Sequence, residues 1–115
     1  MDSAESKSLI VIIVRKGCGD LVIEASRKAG AEGATVIFGR GVGIHEHQKF
    51  LGMPVEPEKE IVLTVVPRDK ADMILDAIVK AVELDKPGAG IGFIIPVEKV
   101  VGVVHTLKKL SASSG

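Results

Sequence analysis

Two stretches, Leu9-Ile-Val-Ile-Ile-Val14 and Ile61-Val-Leu-Thr-Val-Val66, constrain the fold more than any other feature of the chain. Each is rich in β-branched residues and lacks the 3.6-residue period of a helix. Both fall far short of the roughly 20 apolar residues a membrane span needs. Runs of this kind read as strands buried on both faces. Gly17 and Gly19 break the first, and Pro67 stops the second. Helical periodicity follows each. Leu21, Val22, Ala25 and Ala29 share one face of a helix that has Asp20 in its first turn and ends at Gly30, with Glu24 and Lys28 paired on its wet side. Asp69 to Glu83 reads as a second helix. Ile74, Ala77, Ile78 and Ala81 form its core stripe, and Asp72, Asp76 and Lys80 its wet stripe. Leu75, Val79 and Val82 make a second apolar stripe, more than one sheet face requires, and are expected to pack between subunits.

The remaining segments complete a repeated plan. Gly33 opens a strand over Ala34 to Gly39, followed by Gly39-Arg-Gly-Val-Gly43. Ile44 to Glu58 is polar and aperiodic, stiffened near its end by Pro54 and Pro57, and is long for an irregular loop in a small domain. Pro87-Gly-Ala-Gly90 is a turn, Ile91 to Ile95 a strand, and Val100 to Val104 a short terminal strand beyond Pro96. The order β-α-β, loop, β-α-β fits an α+β, ferredoxin-like βαββαβ sandwich. It has a four-stranded antiparallel sheet, two helices on one face, and a short C-terminal strand. The 115 residues form a single domain with an ordered core over about 8–106; the polar or Ser-rich ends are expected to fray. Helices cover only one face of such a sheet, yet the first and third strands are apolar on both. About six large side chains would face water, at roughly 1.5–3 kcal/mol each. The open face is therefore expected to be covered by another chain.

Composition narrows the function. Fifteen basic residues cancel fifteen acidic ones, so no global field draws the chain to nucleic acid or membrane. A single cysteine, Cys18, cannot form an internal disulfide, and Met1 to Lys7 lacks the pattern of a secretion signal, so a cytoplasmic location is expected. RNA-recognition domains of this topology stack bases on sheet aromatics. Here the strands offer only Phe38 and Phe93. Acylphosphatase-type hydrolysis relies on an Asn, and the chain has none. A divalent-cation-tolerance-type trimer and an amino-acid-sensing regulatory domain stay open.

The loop residues favour a further family. Gly33-x-Thr35-Val36 leads into a strand that ends in Gly41-Val42-Gly43. The long loop follows, then Lys59 and Ile61 to Pro67, and the chain closes with Gly88-Ala-Gly90 and Ile91-Gly-Phe93-Ile-Ile-Pro-Val-Glu-Lys-Val100. In this order and spacing the chain resembles the PII nitrogen-regulatory signalling family from about Leu9 to Val104. The resemblance implies a homotrimeric regulator, not an enzyme, with nucleotide and effector clefts between subunits and a loop that docks onto a partner. Carried over by position, the cleft would be lined by Ile13, Thr35, Gly41, Val42, Gly43, Lys59, Gly88, Ala89 and Gly90. Gln48, Lys49, Phe50 and Leu51 would belong to the partner-binding loop. Glycines suit such a site, because backbone N–H groups can then approach a phosphate closely.

Departures from the family pattern are equally informative. The glycine turn that reads Gly-Asp-Gly-Lys in the family is Gly88-Ala89-Gly90-Ile91 here, so its lysine is gone. Two arginines of the last strand fall at Gly102 and Val104. The Gln that holds magnesium and 2-oxoglutarate aligns with His45, and the Arg before it with Ile44. Lys59 remains, with Arg40 near the site and Arg15 at a position the family fills with lysine. ATP affinity is expected to be weak, leaving ADP, AMP or another small anion as effector, and no cofactor is required. The loop lacks Tyr and Ser, so the family's two loop modifications have no acceptor.

Single residues carry weaker alternatives. His45-Glu46-His47 offers imidazole and carboxylate ligands for a divalent metal, but a solvated loop explains it without a third ligand. Cys18 sits beside Lys16 before a helix, a setting that can lower a thiol pKa; with no base beside it in sequence, it reads as a small turn residue. His105 reads as surface. The expected function is PII-like signal transduction, in nitrogen or related metabolism. A small effector would order the loop over residues 44–58, which would present itself to a partner enzyme, transporter or regulator. The alternatives are a metal-binding trimer using His45 and His47, or an amino-acid-sensing domain.

Overall fold

The computed structural model describes residues 6–42 and 57–102, together with the backbone of 48–50 and 53–55. Eight elements follow in order: β1 (Lys7–Arg15), α1 (Gly19–Lys28), β2 (Thr35–Arg40), β3 (Gln48–Phe50), β4 (Met53–Val55), β5 (Glu58–Pro67), α2 (Arg68–Val82) and β6 (Gly90–Val97). One sheet has the order β2-β5-β1-β6, with every neighbouring pair antiparallel. The two apolar runs therefore lie side by side at its centre. Val11 pairs Leu63, and Ile13 pairs Ile61. This is the ferredoxin-like arrangement expected from the element order.

Strand alternation divides the sheet into two chemistries. On the helix side, Ile10, Ile12 and Val14 of β1 meet Val62 and Val66 of β5. Val22 of α1 and Ile74 and Ile78 of α2 close this core, all fully or nearly fully buried. The phase of α1 differs by about one residue from the expected stripe, whereas α2 buries Ile74 and Ile78 as expected. Leu21 is exposed, and Ser26 occupies the buried position one turn after Val22, its hydroxyl donating to the carbonyl of Ile23 at 2.8 Å. In α2, Ala71 enters the core and Ala81 faces out. Positions 71, 74 and 78 keep the i, i+3, i+7 spacing, so the period holds and its phase is set by contact with the sheet.

The other face carries Leu9, Val11 and Ile13 of β1, Ile61, Leu63 and Val65 of β5, and Ile91, Phe93 and Ile95 of β6, aligned row by row. No helix covers it. Ile37, Val65, Ile91, Phe93 and Ile95 are all exposed.

Three segment expectations need correction. Ile44 to Glu58 is not wholly irregular: β3 and β4 form a two-stranded antiparallel pair, with Gln48 opposite Val55 and Phe50 opposite Met53. Glu58 already belongs to β5. Pro96 does not stop the last strand, because β6 is an edge strand and a proline there can turn its missing N–H outward. Residues 98–102 form no strand, and positions 103 and 104 lie outside the described residues.

Candidate effector site

The site is built at the end of the sheet where β1 and β6 meet the turns that follow and precede them. Arg15 of β1 pairs Lys59 of β5, and Lys59 pairs Gly39 of β2. These three positions form one row across the open face. The next row inward is Ile91, Ile13, Ile61 and Ile37. A cationic row thus borders an apolar floor. Gly39 contributes no side chain, and a Cβ there would only touch Ile61 at ordinary contact distance. Lys59 is buried, at 7% exposure. Arg15 is exposed and donates from Nε to the carbonyl of Gly88 at 3.1 Å.

Gly88 and Gly90 are required where they stand. Both adopt positive φ, 78° and 140°. A Cβ on Gly90 would collide with the carbonyl oxygen of Ile13, and one on Gly88 would lie 3.1 Å from an Nη of Arg15. The turn therefore packs directly on β1 and on the Arg15 guanidinium. Ala89 is partly buried, and its N–H bonds the carbonyl of Lys86 at 3.1 Å.

The opposite face of the same strand end is anionic and internally neutralised. Glu60 accepts the first N–H of α1, from Gly19, at 2.7 Å, so its carboxylate fills the positive end of the helix dipole. Glu58 pairs Lys16 at 2.8 Å, and the Lys16 N–H also reaches the Glu58 carbonyl. The Lys16 hydrogen bond and charge hold the Glu58 carboxyl below its usual range; the same contact raises Lys16. Gly41 N–H donates to the Pro57 carbonyl at 3.1 Å, which ties together the two ends of the intervening loop.

The expected lining residues separate into groups. Ile13 lies in the row adjoining Arg15 and Lys59, and Lys59, Gly41, Gly88, Ala89 and Gly90 cluster at this end of the sheet. Thr35 shares the open face of β2 but stands four residues from Gly39, roughly 13 Å along an extended strand. Val42 is half exposed. Gly43, His45, His47 and Leu51 lie outside the described residues, as do the side chains of Gln48, Lys49 and Phe50. Among the described residues, no three of His, Cys, Asp and Glu converge on a metal-sized site, and no helix is long and apolar enough to cross a membrane.

Two structural roles escaped the sequence reading. Glu60 as the cap of α1 joins residues 41 positions apart, and no local pattern announces it. Arg15 was legible in part. It lies two residues beyond Ile13, so strand alternation alone assigns it to the same face.

Comparison with known proteins agrees with the fold. The chain resembles the crystal structure of Arabidopsis thaliana PII bound to citrate, with a TM-score of 0.68 and 25% identity, over 86% of this chain and 84% of that one. The family model described as nitrogen regulatory protein P-II matches residues 7–106, which span every element described above. The chain belongs to the P-II nitrogen regulatory protein family.

Proposed function

We propose that this protein is a trimeric regulator whose subunits associate through the open sheet face. On this reading it senses a small anionic effector at the sheet end formed by Lys59, Gly41 and the Gly88–Gly90 turn, and presents residues 44–58 to a partner enzyme, transporter or regulator in nitrogen or related metabolism. One observation carries the reading: an apolar sheet face that the described residues leave open runs directly into a row of two cations flanked by glycines. Apolar surface of that extent favours association, and the cations at its margin then lie beside the neighbouring subunit. Family membership supports regulation over catalysis. The relative's citrate is itself a small multiply charged anion.

The effector choice follows from the chain's departures from the family's sequence pattern. By sequence position, Ile91, Gly102 and Val104 replace the cations that the family pattern uses for phosphate, and each lost charge-assisted bond weakens binding by on the order of 1.5–3 kcal/mol. ADP, AMP or a compact anion should then bind in preference to ATP. Calorimetry with ATP, ADP, AMP, citrate and 2-oxoglutarate, with and without magnesium, tests this. Binding of a smaller anion that is lost in Lys59→Ala supports the reading. Tight magnesium-dependent ATP binding that survives Lys59→Ala overturns the assignment of the site.

A further inference from the structure

We propose that the turn from Arg15 to Gly19 is a rigid bracket that couples the Gly88–Gly90 turn to the base of the loop between Gly41 and Pro57, with Lys16 as the residue that positions the loop end. The inference is independent of the effector reading. It concerns a link within one subunit and is measured without ligand.

Two adjacent residues grip different elements. Arg15 donates from Nε to the carbonyl of Gly88 at 3.1 Å. Lys16 holds Glu58 twice, by an ion pair of 2.8 Å and by its backbone N–H to the Glu58 carbonyl at 3.3 Å. Glu58 opens β5, and the residue before it, Pro57, accepts the Gly41 N–H at 3.1 Å. One series of bonds thus runs from the Gly88 turn through Arg15 and Lys16 to the closure of the loop. Arg40, on the other stem, is the cross-strand partner of Glu58 and adds its charge to that of Lys16 at the same carboxylate.

The turn between the two grips cannot absorb a displacement. Gly17 is held at a φ of 96°, and the Cys18 N–H closes onto the Arg15 carbonyl at 3.0 Å. The Gly19 N–H is fixed by the Glu60 carboxylate at 2.7 Å, where a Cβ on Gly19 would collide with that carboxylate. Lys16 and Gly19 are therefore anchored on Glu58 and Glu60, alternate residues on one face of β5. A movement of the Gly88 turn is carried to the Gly41–Pro57 bond. Opening of that bond is carried back, because coupling between two sites is reciprocal.

Amide hydrogen exchange on the full chain tests the proposal. The Gly41 N–H reports opening of its bond to Pro57, and the Ile78 N–H, well inside α2, reports unfolding of the core. Lys16→Met should speed exchange at Gly41 relative to Ile78 by about two- to fivefold, the range for one exposed ion pair, and Lys16→Arg should restore it. Arg15→Gln should speed Gly41 by a comparable factor, although the bond it removes is to Gly88. The double variant should be no faster than the faster single, because both changes cut one series of bonds. In the wild type, sodium chloride at about 1 M should reproduce the effect of Lys16→Met by screening the pair, and this arm decides alone if Lys16→Met fails to fold. An unchanged Gly41 rate in Lys16→Met or in high salt overturns the proposal, as does a Lys16→Arg variant as fast as Lys16→Met. A Gly41 rate unmoved by Arg15→Gln also overturns it, since Lys16 would then be a local tie of the loop with no link to the Gly88 turn. A double variant whose effect is the product of the two singles makes the grips independent and overturns it too. If Arg15→Gln fails to fold, Gly88→Ala displaces the same end of the series and is judged by the same outcomes. Effector binding is judged separately, by the titrations above.

Discussion

Gly90 shows how one residue can be fixed by its neighbour's backbone. Its φ of 140° is open to glycine, and a Cβ would meet the Ile13 carbonyl, which belongs to the central strand and cannot yield. Gly90→Ala should lower the melting temperature well beyond the effect of a surface Gly→Ala change, and thermal denaturation checks this. The exposed Lys16–Glu58 pair makes a different prediction, one of pH. Glu58 has a depressed folded-state pKa, so its stabilisation is present above its unfolded value and is lost as pH falls through the folded one. Lys16 has a raised pKa, so its share is complete below its unfolded value and fades as pH rises above the folded one. Removing the pair with Lys16→Met and Glu58→Gln should therefore cost a small, constant amount across neutral pH. The difference from wild type should vanish only in strong acid and strong base, as denaturant midpoints along a pH series would show. A difference that changed steadily between pH 6 and 9 would exclude this assignment.

The contrast between elements is one of range. β1, β5 and both helices were legible because their signals are local and repeated: β-branched runs for the strands and apolar spacing for the helices. Their pairing followed from the antiparallel order of the fold. The β3–β4 pair was not legible, since three-residue strands containing Pro54 carry too few positions for an alternation to register. Helix phase was also only partly legible. Leu21 is more apolar than Ser26, yet Ser26 is the one in the core, because its hydroxyl can satisfy itself on the Ile23 carbonyl and its small volume lets α1 approach the sheet. Of the candidate effector site, Lys59, Gly41, Gly88 and Gly90 were named from the sequence, and the fold gathers them at one end of the sheet. The Arg15–Gly88 contact spans 73 positions and needed the fold to reveal it. Capping ties two elements in the same way. Glu60→Ala deletes the acceptor for the Gly19 N–H and the charge at the α1 terminus. It should destabilise the protein by about 1 kcal/mol, and hydrogen exchange should quicken at the start of α1 ahead of the rest of the helix.

At the scale of the whole molecule, the two faces of one sheet make opposite predictions for the same substitution. Ile12 lies on the helix side and is fully buried, so Ile12→Asp places a charge within the core and should unfold the subunit outright. Ile91 and Ile95 lie on the open face and are exposed in the isolated subunit, at 56% and 44%. An aspartate there costs the single chain little. In the proposed trimer those side chains are buried against neighbours, and the charge is then carried into a dry interface. Ile95→Asp should yield a folded monomer, with helical circular dichroism retained and light scattering near the mass of one 12.1 kDa chain. Val11 and Leu63 are paired at the centre of the same face and are already largely covered by their neighbours. Val11→Asp or Leu63→Asp should break assembly too, with a larger loss of subunit stability than Ile95→Asp. The order of these outcomes is what tests the open face as the assembly surface. A wild-type protein that is itself monomeric, or an Ile95→Asp variant that remains trimeric, would require some other surface to hold the subunits together. The cations at the sheet end would then have no neighbouring chain with which to complete a cleft.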